Sequence, residues 1–192
     1  MKRWAFLCGA MLLFAGIASA QVDPKAEVFG GYSYVRGTAL NTSYNFNGGG
    51  GSFSYNPSGW LGLVADFGGN HWSGSGVDLN VITYLFGPKI AFRHGPITPF
   101  VQTLYGGARA SGSLISTCPV ARIRPQVPCT ASGSENAFAM TMGGGMDWNA
   151  TPHIGVRLAQ AEYLLTRFNG LGNNATNNEN SFRYEAGVVF RW

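Results

Sequence analysis

From Phe182 to Trp192 the side chains fall into two rows. Phe182, Tyr184, Ala186, Val188, Phe190 and Trp192 make one row, wholly apolar or aromatic. Arg183, Glu185, Gly187, Val189 and Arg191 make the other and carry every charge in the segment. A β-strand sends successive side chains to opposite faces, so this stretch has an oily wall and a charged wall. The expectation is that the oily rows of such strands look outward at hydrocarbon while the ionised groups are enclosed.

Composition agrees with that orientation. Charged residues make up 11% of the chain, aromatic residues 14%, and there are 28 glycines. Ordinary globular domains carry about 25% charge. A barrel facing lipid cannot, because a charge on its outer wall costs roughly 2–4 kcal/mol near the bilayer midplane. The opposite arrangement, a lipocalin-like container with the apolar rows inside, leaves too few charges to solvate the outer wall.

The amino terminus reads as an export signal over residues 1–20. Lys2 and Arg3 precede an apolar stretch from Trp4 to Ile17, which Ala18-Ser19-Ala20 closes with small residues. The stretch is short of the ~20 apolar residues a spanning helix needs. Cys8 lies inside it, without a lipobox, and leaves with it. Residues 21–192 then form one barrel domain, and no later segment is apolar enough for a membrane helix, so any crossing is made by strands. The formal net charge is +4, of which Lys2 and Arg3 contribute half. No Lys/Arg cluster remains to argue for nucleic acid. Cys118 and Cys129 sit in a Pro-rich stretch of a chain bound for an oxidising compartment, and a disulfide closing a loop is expected there. Two cysteines without neighbouring histidines are a poor metal set.

Turn signals divide the rest into eight alternating segments. Strands are predicted over about 26–36, 48–56, 60–69, 77–93, 98–111, 134–149, 153–168 and the terminal stretch. Short turns at 57–59, 93–97 and 149–152 share one rim, and loops at 37–47, 70–76, 112–133 and 169–180 share the other. An even number of antiparallel strands with short turns at one end and longer loops at the other describes an up-and-down transmembrane barrel with no open edge. The predicted fold class is therefore all-β, an eight-stranded antiparallel up-and-down barrel. The phase places Glu27, Asp66, Asp78, Arg183, Glu185 and Arg191 inside, with Asp147, Arg157 and Arg109 less firmly phased. In the seventh strand Arg157 and Glu162 have opposite parity, so both face inward only if the strand contains a bulge.

With these segments placed, the chain resembles the small eight-stranded outer-membrane barrels, the OmpA-type transmembrane domain and its short surface-barrel relatives. The resemblance rests on Glu27-Val28-Phe29-Gly30-Gly31-Tyr32-Ser33-Tyr34, Leu85-Phe86-Gly87-Pro88-Lys89, Pro99-Phe100-Val101, Leu104-Tyr105-Gly106-Gly107-Ala108-Arg109 and Val188-Val189-Phe190-Arg191-Trp192. It implies a cell outer-membrane location and a monomer among outer-membrane lipids and lipopolysaccharide. It also implies delivery by periplasmic chaperones and the barrel-insertion machinery, with Tyr184, Val188, Phe190 and Trp192 as the assembly signal. The last residue is Trp where Phe is commoner, and no peptidoglycan-binding domain follows, so wall tethering does not carry over.

No cofactor, metal site or catalytic set is expected. A barrel of this size is filled by its own side chains, so the enclosed charges read as a paired lumen network in preference to a gated narrow ion path. His71, His94 and His153 lie near three different turns or loops. His71-Trp72-Ser73, read as part of a loop, loosely resembles the His-x-Ser of outer-membrane lipid A deacylases, but without an evident carboxylate to orient the histidine. Trp60, Trp72, Trp148 and Trp192 are expected in aromatic girdles at the membrane interfaces. The function expected is non-enzymatic and envelope-structural. A surface partner would be met through the external loops, where Arg122 and Arg124 are either phosphate contacts or solvated charges.

Overall fold

The computed structural model describes residues 24–39, 42–74, 77–118, 127–169 and 176–192. Eight antiparallel strands close on one another in chain order: β1 (Ala26–Ala39), β2 (Thr42–Tyr55), β3 (Leu61–Gly74), β4 (Val77–Ala91), β5 (Ile97–Cys118), β6 (Val127–Asn149), β7 (Ile154–Asn169) and β8 (Thr176–Arg191). The seam between β8 and β1 is fully laddered, from Glu27 opposite Arg191 to Gly37 opposite Ser181. It is sealed at the rim by reciprocal Ala26 and Trp192 backbone hydrogen bonds of 3.0 and 3.1 Å. Closure removes the unpaired edges that hydrocarbon cannot solvate.

At the seam Gly31 faces Gly187. A Cβ on Gly31 would stand 2.2 Å from the Ala186 carbonyl oxygen, and one on Gly187 would stand 2.3 Å from that of Gly30. Glycine at both positions is what lets the first and last strands approach so closely. Gly95, with φ of 75°, makes the tight turn between β4 and β5, a conformation that costs glycine nothing.

Burial sorts the alternating rows as the terminal strand predicts. On the outer wall Leu63 is 56% exposed, Phe86 51% and Phe190 51%, while Arg183 is 1% exposed and Glu185 is fully enclosed. Trp60, Trp148 and Trp192 are exposed on the short-turn side, as girdle residues. Trp72 is not: it shares the inward row of Asp66 and Asn70 and meets Tyr44 edge-on at 5.1 Å. Tyr44 also packs against Phe46, so aromatic side chains line the interior toward the long-loop rim.

Three sequence expectations are corrected here. The described residues of the expected loops 37–47, 112–133 and 169–180 are strand, with β1 and β2 laddered to Ala39–Thr42, β5 and β6 to Cys118–Val127 and β7 and β8 to Asn169–Thr176. Beyond the apolar belt both faces of a strand are polar, so hydrophobic alternation fades while the backbone ladder continues. His71-Trp72-Ser73 likewise lies on β3 and not in a loop. Strand β4 has the reverse of the expected phase. Thr83, Leu85 and Lys89 face inward, and Ile82, Tyr84 and Phe86 face outward. The Cys118–Cys129 pairing concerns side chains outside the described residues, as do the 1–20 segment, Arg122 and Arg124.

Candidate functional site: the lumen charge network

Most ionic side chains of the interior come from inward rows that alternate with apolar outward rows, so their placement follows from strand parity; Arg93 lies past the end of β4. Near the short turns, Glu27 on β1 accepts hydrogen bonds from Lys89 Nζ at 2.5 Å and Arg93 Nη2 at 3.0 Å. Lys89 also donates to Ser54 Oγ at 3.1 Å, and Arg93 donates to the Gly59 carbonyl. Arg191 Nε lies 3.6 Å from Glu27 Oε1, and its Nη2 donates to Asp147 Oδ2 at 2.9 Å. A further bond runs from Arg191 to Asn149. Arg157 holds Asp147 with both Nε and Nη2, at 2.8 and 3.3 Å. Its guanidinium lies between the rings of Phe29 and Phe100, 4.3 and 4.5 Å from their centroids. That sandwich stabilises a desolvated cation without further ions.

Deeper in the barrel the arrangement inverts, with one cation among three carboxylates. Arg183 donates to Glu162 Oε2 through Nε and Nη2 at 2.8 and 2.5 Å, and to Asp66 Oδ1 through Nη1 at 2.8 Å. Glu185 Oε1 lies 3.7 Å from the same Nη1. Gln102 completes Glu162, donating at 2.6 Å. Gln160 joins the two levels, accepting from Arg157 at 2.6 Å and donating to Glu185 Oε2 at 2.9 Å. Ten ionic residues thus form one connected network among the described residues: Glu27, Asp66, Asp147, Glu162 and Glu185 against Lys89, Arg93, Arg157, Arg183 and Arg191. Equal numbers of each sign let the interior bury charge without a net excess.

The interior also holds an apolar cluster. Val35, Val64, Leu85, Leu104, Ala108, Ala139 and Leu164 are buried together, and Phe46 and Val81 pack against them. Ser33 Oγ, Asn70 Oδ1, Thr83 Oγ1 and Glu185 Oε1 are enclosed without a protein hydrogen-bond partner. They converge where Gly50 pairs with Gly68: a Cβ on Gly50 would meet Glu185 Oε1 at 2.4 Å, and one on Gly68 would meet Thr83 Oγ1 at 2.6 Å. The two glycines leave space for these polar groups against the wall.

Of the six charges assigned to the lumen, Glu27, Asp66, Arg183, Glu185 and Arg191 are brought together. Asp78 is not. It lies on the outward row of β4, partly exposed, beside Asn80, Ser111 and Ser113. Both rows of β4 between residues 81 and 86 are mostly apolar, so hydrophobicity gives no phase. The phase is set by Lys89, which shares parity with Leu85 and is buried against Glu27 near the short-turn end of the strand. Arg109 also faces outward, with Nη2 3.4 Å from Ser134 Oγ. The bulge required by Arg157 and Glu162 is present: β7 slips against β6 at Met146/Asp147 and against β8 between Arg157 and Gln160. Lys89, Arg93, Gln102 and Gln160 are not among the residues expected from the sequence.

Outside the barrel, Tyr184, Val188, Phe190 and Trp192 form the outer row of β8, and Tyr184 donates to the Leu158 carbonyl at 3.2 Å. His71 is exposed, and its Nδ1 engages Asn80 Oδ1 at 2.8 Å. Asp78 stands opposite Ser73 across the β3–β4 ladder.

No family model matches the sequence, and no curated protein does. Solved structures do match. The attachment invasion locus protein Ail of Yersinia pestis aligns over 89% of this chain and 100% of its own, with a TM-score of 0.62 at 14% identity. Neisserial surface protein A aligns over 88% of this chain and 97% of its own, with a TM-score of 0.59 at 13% identity. The outer-membrane protein OprG of Pseudomonas aeruginosa aligns over 91% and 99%, with a TM-score of 0.50 at 12% identity. The chain therefore has the fold of the small eight-stranded outer-membrane β-barrels.

Proposed function

We propose that this chain is an integral outer-membrane protein with an envelope-structural, non-enzymatic role that meets surface partners through its extracellular strands and loops. The observation that carries the reading is the inverted surface. Large apolar side chains cover the outer wall, and ten ionic side chains are paired inside it. In water such a wall would aggregate, whereas in hydrocarbon it is the solvated face. The β5–β6 hairpin, with strands of 22 and 23 residues against 14 to 16 elsewhere, extends beyond its neighbours on the side opposite the chain ends. That projection offers a surface for contacts outside the membrane.

The primary test is membrane fractionation with protease shaving of intact cells. The protein is expected in the outer-membrane fraction, with cleavage confined to the 112–133 and 169–180 hairpin ends. Recovery in the soluble periplasm would sink the reading. Assembly by periplasmic chaperones and the insertion machinery is proposed to depend on the outer row of β8. The double variant Phe190→Ser/Trp192→Ser is expected to lower the heat-modifiable, membrane-embedded fraction severalfold and to leave the remainder for periplasmic degradation. Wild-type levels of embedded protein in that variant would remove the assigned signal. The non-enzymatic part is tested by lipid A mass spectrometry. Spectra from cells expressing wild type and His71→Ala are expected to be identical, and a deacylated species present only with wild type would reverse the assignment.

A further inference from the structure

We infer that the inner wall formed by β8, β1, β2, β3 and β4 holds one monovalent metal cation, sodium or potassium, beside Glu185. The ionic network is balanced as a whole but not level by level. Among the described residues near the short turns, the cations Lys89, Arg93, Arg157 and Arg191 meet the carboxylates Glu27 and Asp147. Around Arg183 one cation meets Asp66, Glu162 and Glu185, so this level carries an excess of negative charge. Glu162 is hydrogen-bonded at both oxygens, by Gln102 and Arg183, and Asp66 accepts from Arg183 at 2.8 Å. Glu185 accepts from Gln160 at Oε2. Its Oε1 stands 3.7 Å from Arg183 Nη1, beyond hydrogen-bond reach, and is enclosed without a partner.

The register gathers neutral oxygens and bare wall around that atom. One inward rung runs Glu185, Ser33, Gly48 and Asn70 across β8, β1, β2 and β3. The adjoining rung runs Gly187, Gly31, Gly50, Gly68 and Thr83 across the same strands and β4. The glycines leave this stretch of the interior without side chains of its own. Ser33 Oγ, Asn70 Oδ1 and Thr83 Oγ1 border it, on residues more than nine-tenths buried, and none has a protein hydrogen-bond partner. One carboxylate oxygen with hydroxyl and amide oxygens is a hard donor set of low charge. A doubly charged ion needs more carboxylates than that. Among the described residues no group of three or more His, Cys, Asp or Glu side chains is placed to hold a metal, so the set suits a singly charged ion. An enclosed oxygen without a partner costs the desolvation of that group, and an ion shared by these oxygens offsets the cost. Arg183 opposes a second cation at this level, but its three carboxylates outnumber it.

The site lies inside the barrel and is independent of what surrounds the outer wall. The test folds the full chain in detergent micelles and follows its urea unfolding in sodium, potassium or N-methylglucamine chloride at one ionic strength. Wild type is expected to have a higher midpoint in sodium or potassium chloride than in N-methylglucamine chloride, because a ligand of the folded state alone stabilises it. Glu185→Gln keeps the shape of the side chain and is expected to abolish the difference. Thr83→Val removes one neutral oxygen and no charge, and is expected to raise the ion concentration needed for half the effect severalfold. Asp78→Asn, on the outer wall, is expected to keep the wild-type difference. Heat-modifiability of each variant separates a lost site from a lost barrel, and should Glu185→Gln not fold, Thr83→Val carries the comparison. Crystals of wild type grown with thallium(I), which substitutes for alkali ions, are expected to show an anomalous peak against Glu185. Equal midpoints in the three chlorides overturn the site, as does an ion effect that survives in Glu185→Gln. Ordered water beside Glu185 without a thallium peak assigns the oxygens to hydration and overturns the ion.

Discussion

Replacing Arg183 with methionine is expected to destabilise the barrel by about 3–5 kcal/mol, the usual cost of removing one partner from a buried ion pair. The side chain is 1% exposed and is the cation nearest to Asp66, Glu162 and Glu185. Without it three carboxylates stand together in an enclosed space. The next guanidinium, that of Arg157, is already committed to Asp147 and Gln160. Urea unfolding of the protein in lipid vesicles measures the effect. Arg183→Lys keeps the charge but loses the fork that serves Glu162 and Asp66 at once, so an intermediate loss is expected. Adding Glu162→Gln to Arg183→Met is expected to recover part of the stability, because one of the unpaired charges goes with it. An Arg183→Met protein as stable as wild type would mean that the network does not hold the barrel together. A double variant no better than the single one would assign the loss to packing and not to charge.

The contrast between β8 and β4 shows how far residue order alone reaches. In β8 every outward position from Phe182 on is apolar or aromatic, and Arg183, Glu185 and Arg191 on the inward row are charged, so parity, orientation and these three network members could be read directly. In β4 Val81 and Leu85 on one row compete with Ile82, Tyr84 and Phe86 on the other, and Asp78 near the strand end pulled the phase the wrong way. Its position explains the error: Asp78 lies above the belt, where an outward charge meets no hydrocarbon. Polarity identifies the lumen only within the membrane-spanning part of a strand. The bulge in β7 was legible as a contradiction, since Arg157 and Glu162 differ in parity and neither tolerates lipid. Its location at Leu158–Ala159 was not, because neither residue has a side chain that demands one face. The ends of β5 and β6 were hidden for a different reason. Residues 111–118 and 127–134 have no apolar alternation, and what makes them strand is the pairing of one backbone with the other.

The sign of one outer-wall substitution separates a lipid-facing barrel from a water-facing one. Phe86 is 51% exposed and stands on the outer row of β4, edge-on to Phe67 with ring centroids 5.9 Å apart. On a protein surrounded by water, replacing such a residue with arginine removes exposed apolar area and costs little beyond the lost ring contact. Within the belt the same arginine must leave water for hydrocarbon, at a cost of roughly 2–4 kcal/mol near the midplane that falls toward either interface. Phe86→Arg is therefore expected to lower the urea midpoint in vesicles markedly. Ser111→Arg, on the same wall but above the belt, is expected to change it little. Ile90→Arg, four residues nearer the short-turn rim, should fall between them as the side chain reaches toward interfacial water. A graded series in that order requires a hydrocarbon layer around the middle of the barrel. If all three variants were equally stable, or Phe86→Arg were the more soluble and no less stable protein, the outer wall would face water, and the enclosed ions would need another explanation.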